Sequence, residues 1–225
     1  MNVFIVTAGS RGDVQPFIVL GKGLKTKGHT VTLCTCSRFE PFIVEYGLNY
    51  GYMNDNLLKL LDSEAGREVI ENSGNFLGLI KTTLTLFQKA KALNREMFQD
   101  TWNAAQAAQP DILIFHPKIL VGSHIAEKLS IPAIMATLVP AIAPTAESVA
   151  IGFPSLKLGS WYNKFSYWIL HQGYRMYNEV INEFRQNVLG LEKLSKSISP
   201  IQMPNGQLLP ILHGYSELVS PRPSD

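Results

Sequence analysis

The sequence predicts an α/β domain, a Rossmann-like doubly wound parallel sheet of five to seven strands. Three observations carry that reading. Short runs of β-branched residues alternate along the chain with stretches whose apolar residues recur every three to four positions. The first run leads through a glycine-rich turn directly into such a stretch. The hydrophobic fraction of 46 % against 17 % charged is enough to bury a sheet on both faces and argues against disorder.

Asn2 to Thr7 (NVFIVT) is a short apolar run, as expected of a strand covered on both sides. Val14 to Lys27 carries Val14, Phe17, Ile18, Leu20 and Leu24 on one helical stripe, with Pro16 tolerated in the first turn and Gly28 fitting the position after the end. Thr30 to Thr35 is the second strand, so the first 35 residues form a β-α-β unit, which implies parallel pairing. Phe39 to Tyr46 reads as a helix stopped by Gly47, and Asn49 to Tyr52 as the third strand. Asn56 to Asn72 is mixed and polar with helical pieces. Phe76 to Ala107 reads as one long helix with Asn94 as its bending point, and Pro110 stops it. Asp111 to Phe115 is a buried strand, Leu120 to Leu129 a helix, and Ile131 to Thr137 a further strand. A proline-punctuated apolar segment, Leu138 to Gly159, is too long for an idle connection and is assigned a pocket-lining role. Ser160 to Leu189 is helical and rich in aromatics; Leu209 to Leu212 is a last short strand.

The whole of 1–225 is read as one domain. Its net charge of +2, from 20 basic and 18 acidic residues without a basic cluster, argues against a nucleic-acid partner. Cys34 and Cys36 lie two apart in a strand, too far for normal disulfide geometry. They are expected to be buried reduced thiols, which suits a cytoplasmic protein. No further metal ligands accompany them, so no metal and no cofactor are expected. The N-terminus shows no basic region ahead of its apolar run, as a signal peptide would. The most apolar long stretch, Ile131 to Phe153, is broken by Pro132, Pro140 and Pro144 and is not read as a membrane span. Neither G-x-S-x-G nor H-E-x-x-H occurs, and D-x-D is absent, against the metal-dependent sugar transferases.

In open parallel sheets, ligands bind at the carboxyl ends of the strands. Three loops fall there: Ala8 to Asp13, His116 to Lys118, and Leu138 onward. Gly9 and Gly12 allow close backbone approach, the helix start favours an anion, and Arg11 adds a charge. The spacing is neither G-x-G-x-x-G nor a P-loop. Asp13 has two readings: a helix N-cap, or a general base whose ionised state the helix start protects. They are compatible if one carboxylate oxygen faces the cleft. His116 ends a strand and reads either as a catalytic or acceptor-binding histidine, or as a loop residue packed under Pro117. Leu138 and Pro140 in the apolar loop, with Trp161 and Trp168 in the aromatic stretch, are candidate acceptor-pocket residues. The bland reading of that stretch is core.

The segment GSRGDVQPFIVLGKGLKTKGHTVTLCT (Gly9 to Thr35) resembles the opening of sterol glucosyltransferases and related macrolide and glycopeptide glycosyltransferases. Pro110 to Thr145 is similar to the family's second landmark, and Tyr215 to Pro221 to the end of its N-terminal domain. The resemblance implies the N-terminal, acceptor-binding half of a GT-B architecture. It implies a nucleotide-sugar donor, UDP-glucose being common, a lipophilic acceptor such as a sterol, lipid or polyketide, and an inverting, metal-independent displacement. Asp13 matches the aspartate assigned as base in the glycopeptide branch; plant-type members carry a histidine in this loop, which is lacking here. Gly9, Ser10, Arg11 and Gly12 would face the donor phosphates. The family's donor-binding half, with its histidine- and glycine-rich motif and Asp-Gln pair, is not in these residues, so a C-terminal donor-binding domain is expected outside them and no turnover is expected without it. A peripheral membrane contact is among the expectations. Two other classes stand beside this one: a lipid-binding or scaffold module of the same fold, and a dinucleotide-binding redox domain. The broken glycine spacing and the lack of an acid after the second strand (Thr35-Cys36-Ser37) weigh against the redox domain.

Overall fold

The computed structural model describes residues 1–62, 76–140, 142–194, 199–218 and 220–225, with the side chains of 61–62 and 76–88 left aside. Its described sheet has six strands: β1 (Asn2–Val6), β2 (Thr30–Cys36), β3 (Asn49–Met53), β4 (Ile112–Phe115), β5 (Ala133–Thr137) and β6 (Ile211–His213). They are ordered β3-β2-β1-β4-β5-β6 and every pairing is parallel. The helices are α1 (Arg11–Thr26), α2 (Glu40–Glu45), α3 (Asn56–Asp62), α4 (Phe76–Ala108), α5 (Gly122–Leu129), α6 (Ser160–Arg175) and α7 (Asn178–Phe184).

The strand pleat divides the core in two. Along β1, Val3 and Ile5 point to one face, where they meet Val14, Phe17 and Ile18 of α1 and Ile43 of α2. Phe4 and Val6 point to the other, toward Met97, Phe98 and Trp102 of α4, Ile125 of α5 and Phe184 of α7. Both faces being covered explains why the strands read as unbroken apolar runs. The order in which strands are added reverses at β1, whose neighbours are β2 and β4, so the loops after β1 and β4 emerge side by side.

Several elements differ from the sequence expectation. Helix α1 starts at Arg11 rather than Val14, because Ser10 is extended (φ −74°, ψ 177°) and takes the N-cap; Asp13 is therefore the third helical residue. A 3₁₀ turn over Ser37–Phe39 precedes α2, which is thereby shortened. The helical stretch expected over Ser160 to Leu189 holds two helices, broken at Met176 and Tyr177, followed by a π-helical turn over Arg185–Leu189. Buried Arg185 fixes that turn: it pairs with Glu127, donates to the Glu192 carbonyl at 2.9 Å and lies 3.0 Å from His124 Nδ1. The last strand runs one to two residues later than expected. Part of the Asn56 to Asn72 stretch, from 63 on, lies outside the described residues. Cys34 and Cys36 are free and buried, and burial raises both thiols, Cys36 to about 11.

Candidate functional site

The backbone first brings the two loops together. His116 donates its N–H to the Val6 carbonyl at 3.0 Å, extending the β1–β4 ladder one residue beyond the strands. Thr7 is tied at 3.1 Å to Cys34 of β2 and, through its hydroxyl, to the Asp13 carbonyl at 2.9 Å. The first turn of α1 thus stands beside the residues that follow β4.

Asp13 divides its carboxylate between two tasks. Oδ2 accepts the Ser10 backbone N–H at 2.8 Å and the Ser10 hydroxyl at 3.1 Å, closing the helix start. Oδ1 turns the other way, accepting from Lys118 Nζ at 2.7 Å and lying 3.9 Å from His116 Nε2. Gly9 makes room for this arrangement: at φ +140°, a Cβ there would lie 2.1 Å from Asp13 Oδ2. Burial pushes the Asp13 carboxyl up, but the hydrogen bond and charge of Lys118, the Ser10 N–H and His116 together outweigh it and hold the group below its ordinary value. It is ionised at neutral pH.

His116 is 5 % exposed and packs edge-on against Phe17, with ring centroids 6.0 Å apart. Its Nδ1 accepts the Lys118 backbone N–H at 3.2 Å, which assigns the ring proton to Nε2, facing Asp13. Burial, then the Lys118 charge, lower its pKa to about 4 against a smaller opposing pull from Asp13. The ring is neutral at pH 7, and at 3.9 Å it is a polar neighbour of Oδ1 rather than a hydrogen-bond partner.

Behind this pair opens a cleft of about 350 Å³. Gly9, Pro117 and Lys118 form its rim; Leu57, Leu58, Met97, Leu120, Tyr174 and Tyr177 are among its walls. Lys118 lines the cleft and bonds Oδ1, so the carboxylate of Asp13, which does not itself line the cleft, is joined through this one side chain to the rim of a largely apolar cavity, of a size that takes small ligands. Ser10, Arg11 and Gly12 are exposed at the adjoining helix start, but the Arg11 guanidinium sits 4.9 Å over the Phe42 ring and donates to Gln15 at 3.2 Å instead of reaching Asp13. Among the described residues, no three His, Cys, Asp or Glu side chains are grouped to hold a metal.

The structure brings together Gly9, Ser10, Asp13 and His116 from the sequence-derived candidates, of which Gly9 lines the cleft, and places four others away from this group. Leu138 packs on the α1 side of the sheet and Pro140 is half-buried beyond it. Trp161 and Trp168 are exposed on the outer face of α6, because Tyr162, Ser166 and Tyr167 occupy its inner face. The cleft walls instead come from α3, α4 and the junction of α6 with α7, plus Lys118, which sequence reasoning had included in a candidate loop without giving it a role. Met97 and Tyr177 fall in stretches that the sequence reads as helical, but helical spacing does not distinguish a core face from a cavity wall.

Solved glycosyltransferases share the fold of this sheet. A glycosyltransferase from Streptomyces nogalater, SnogD, superposes with a TM-score of 0.52 at 16 % identity, over 85 % of this chain and 41 % of that one. SsfS6 of Streptomyces sp. SF2575, solved with thymidine diphosphate, gives 0.50 at 17 % identity, over 90 % and 48 %. At such identities the likeness concerns the fold. Residues 3–151 match the glycosyltransferase family 28 N-terminal domain, and the chain belongs to that family. It is 34 % identical over 193 residues to a sterol 3-beta-glucosyltransferase of Debaryomyces hansenii, covering 85 % of this chain and 12 % of the relative. It is 33 % identical over 218 residues to one from Pichia angusta, covering 96 % and 16 %. The chain thus spans less than a fifth of the length of these curated relatives. Among the described residues no helix is long and apolar enough to cross a membrane.

Proposed function

We propose that this chain is the acceptor-binding half of an inverting, metal-independent glycosyltransferase that moves a sugar, expected to be glucose, from a nucleotide-sugar to the hydroxyl of a lipophilic acceptor of the sterol class. The observation that carries the reading is an ionised Asp13 whose Oδ1 is bonded to Lys118 on the rim of an apolar cleft, with its other oxygen anchored to Ser10. An acceptor body fills the cleft and presents its hydroxyl at the rim. The hydroxyl oxygen forms its bond to the anomeric carbon as the bond from that carbon to the nucleotide's diphosphate breaks. The hydroxyl proton passes to Oδ1, and the diphosphate leaves with the electron pair.

Asp13 needs no raised pKa for this, since the hydroxyl becomes strongly acidic only as the new bond forms. Lys118 holds Oδ1 until the acceptor arrives and must give way, which its 54 % exposed side chain permits. Neutral His116 turns its Nε2–H to the side of the same oxygen, as a polar neighbour that does not bond it. The free N–H groups of Arg11 and Gly12 at the start of α1 suit the donor phosphates. The sterol class follows from the names of the relatives and from the character of the cleft. The test is to incubate the full-length enzyme with UDP-glucose and a sterol and to determine the product's anomeric configuration by NMR. A β-glucoside is expected from the α-linked donor; an α-glucoside, or no sterol product, overturns the reading.

A further inference from the structure

One polar residue interrupts the apolar wall of the cleft. Asn94 stands on α4 with Ala90 one turn before it and Met97 one turn after, and all three line the cavity. Leu57 and Leu58 of α3 line it too. Asn94 is only 4 % exposed. An amide in such surroundings costs free energy unless both its donor and its acceptor are met.

Among the described residues only the donor is met. Nδ2 gives a hydrogen to the Ala90 carbonyl at 2.8 Å, a bond back along the helix to the residue four before. That bond assigns the ends of the amide, nitrogen toward the carbonyl and oxygen away from it. Oδ1 accepts no hydrogen bond from the described residues, yet it is not sealed in: among them, Thr35 Oγ1 is the one side-chain polar atom both sealed and unbonded. Since Asn94 lines the cleft, its oxygen opens there. Donors on the cleft walls are engaged elsewhere. Asn54 gives its side-chain N–H to Asp100 at 2.6 Å, Lys118 reaches Asp13 at 2.7 Å, and the Tyr174 hydroxyl turns to the Pro117 carbonyl at 3.5 Å.

A ligand must therefore bring the hydrogen. On the sugar-transfer reading, on which this inference rests, the reacting hydroxyl cannot supply it, because its single proton goes to Asp13 Oδ1. We propose that Asn94 Oδ1 accepts a hydrogen bond from a second hydroxyl of the acceptor, so that the cleft selects sterol-class molecules with two hydroxyls over those with one. Asn94 is then a specificity-determining residue. An acceptor body that is apolar at this point leaves Oδ1 desolvated and unpaired, and a site built to pair a hydroxyl discriminates against the analogue that lacks it.

The direction of the preference is the test. A purely apolar cleft binds the more hydroxylated sterol more weakly, because the added hydroxyl gives up water without return. A cleft that pairs the hydroxyl binds it more tightly. Dissociation constants of this chain for cholesterol, 7α-hydroxycholesterol, 22-hydroxycholesterol and 25-hydroxycholesterol can be read by displacement of the fluorescent sterol dehydroergosterol. At least one of the hydroxylated sterols is expected to bind about tenfold tighter than cholesterol. In Asn94→Leu and Asn94→Ala, which both remove the oxygen and differ in volume, the same sterol is expected to bind no tighter than cholesterol. The ratio of two constants on one protein does not move when part of the protein is unfolded, so a merely structural role for Asn94 would leave the preference intact. A preference that survives in either variant overturns the proposal. So does wild-type binding of cholesterol as tight as that of the other three, or no binding of any of them. Binding is read without turnover: a β-glucoside from the full-length enzyme beside indifference to the second hydroxyl removes this inference alone, and a missing or α-linked product beside a clear preference removes the sugar-transfer reading.

Discussion

Asp13 closes a helix with one oxygen and opens toward a cleft with the other, and both tasks depend on a glycine two residues before the helix. Gly9 holds φ +140° where any side chain would overlap Oδ2. Gly9→Ala is therefore expected to lower stability by about 1–3 kcal/mol, from backbone strain and the displaced carboxylate together. A thermal melt beside wild type measures it. His116 makes a second prediction at this scale. The unfolded imidazole titrates near 6.5 and the folded one near 4, so between those values the unfolded chain holds more protons and stability rises with pH. Acidification from neutrality then costs roughly 3 kcal/mol from this group, fully expressed below about pH 4. Buried His124, lowered to about 3 by burial and by Arg185, adds in the same direction. The melting temperature should fall from pH 7 to pH 4 in wild type and by less in His116→Gln. The identity of Asp13 as the residue of interest was legible in the sequence, since only it places a carboxylate in the glycine turn. Its partnership with Lys118 was not, because 105 positions separate them and only the β1–β4 pairing closes that distance.

Among the elements, α4 does the most to join core and site. Phe98 is fully buried, with its ring 5.5 Å from Phe184 of α7. Met97, the residue before it, is among the cleft walls. Truncating Phe98 to alanine removes the contact that seats α7 against α4, and a loss of about 3–5 kcal/mol is expected by denaturant titration. Period and punctuation located most elements, because parallel strands covered on both faces are unbroken apolar runs and glycines mark helix ends, as Gly28 does at φ +84°. Where the sequence misled, a local competitor won. Ser10 took the cap expected of Asp13, and the aromatic run of Ser160 to Leu189 hid a break at Met176 because apolar residues continue at helical spacing through it. That run also carries aromatics on opposite faces of α6: Tyr162 and Tyr167 inward, Trp161 and Trp168 outward. Composition alone could not assign the tryptophans to solvent.

For the whole molecule, the reversal of strand order at β1 sets the two loops of the candidate site side by side, and the proposal of sugar-transfer chemistry there takes its support from the family match. The parallel pairing of β1 with β2 was legible in the β-α-β start, but the placing of β4 on the other side of β1 was not, since no local pattern specifies it. The cleft was not, since its walls come from three separate stretches, α3, α4 and the α6–α7 junction, that no motif unites. The central claim is that Asp13 Oδ1 takes the acceptor's proton. Steady-state turnover of the full-length enzyme carrying Asp13→Asn tests it most directly: the substitution keeps the side chain's shape and an oxygen for the Ser10 N–H, but removes the base. A fall in kcat of roughly 10²–10⁴-fold with little change in acceptor KM is predicted; turnover near that of wild type would contradict it.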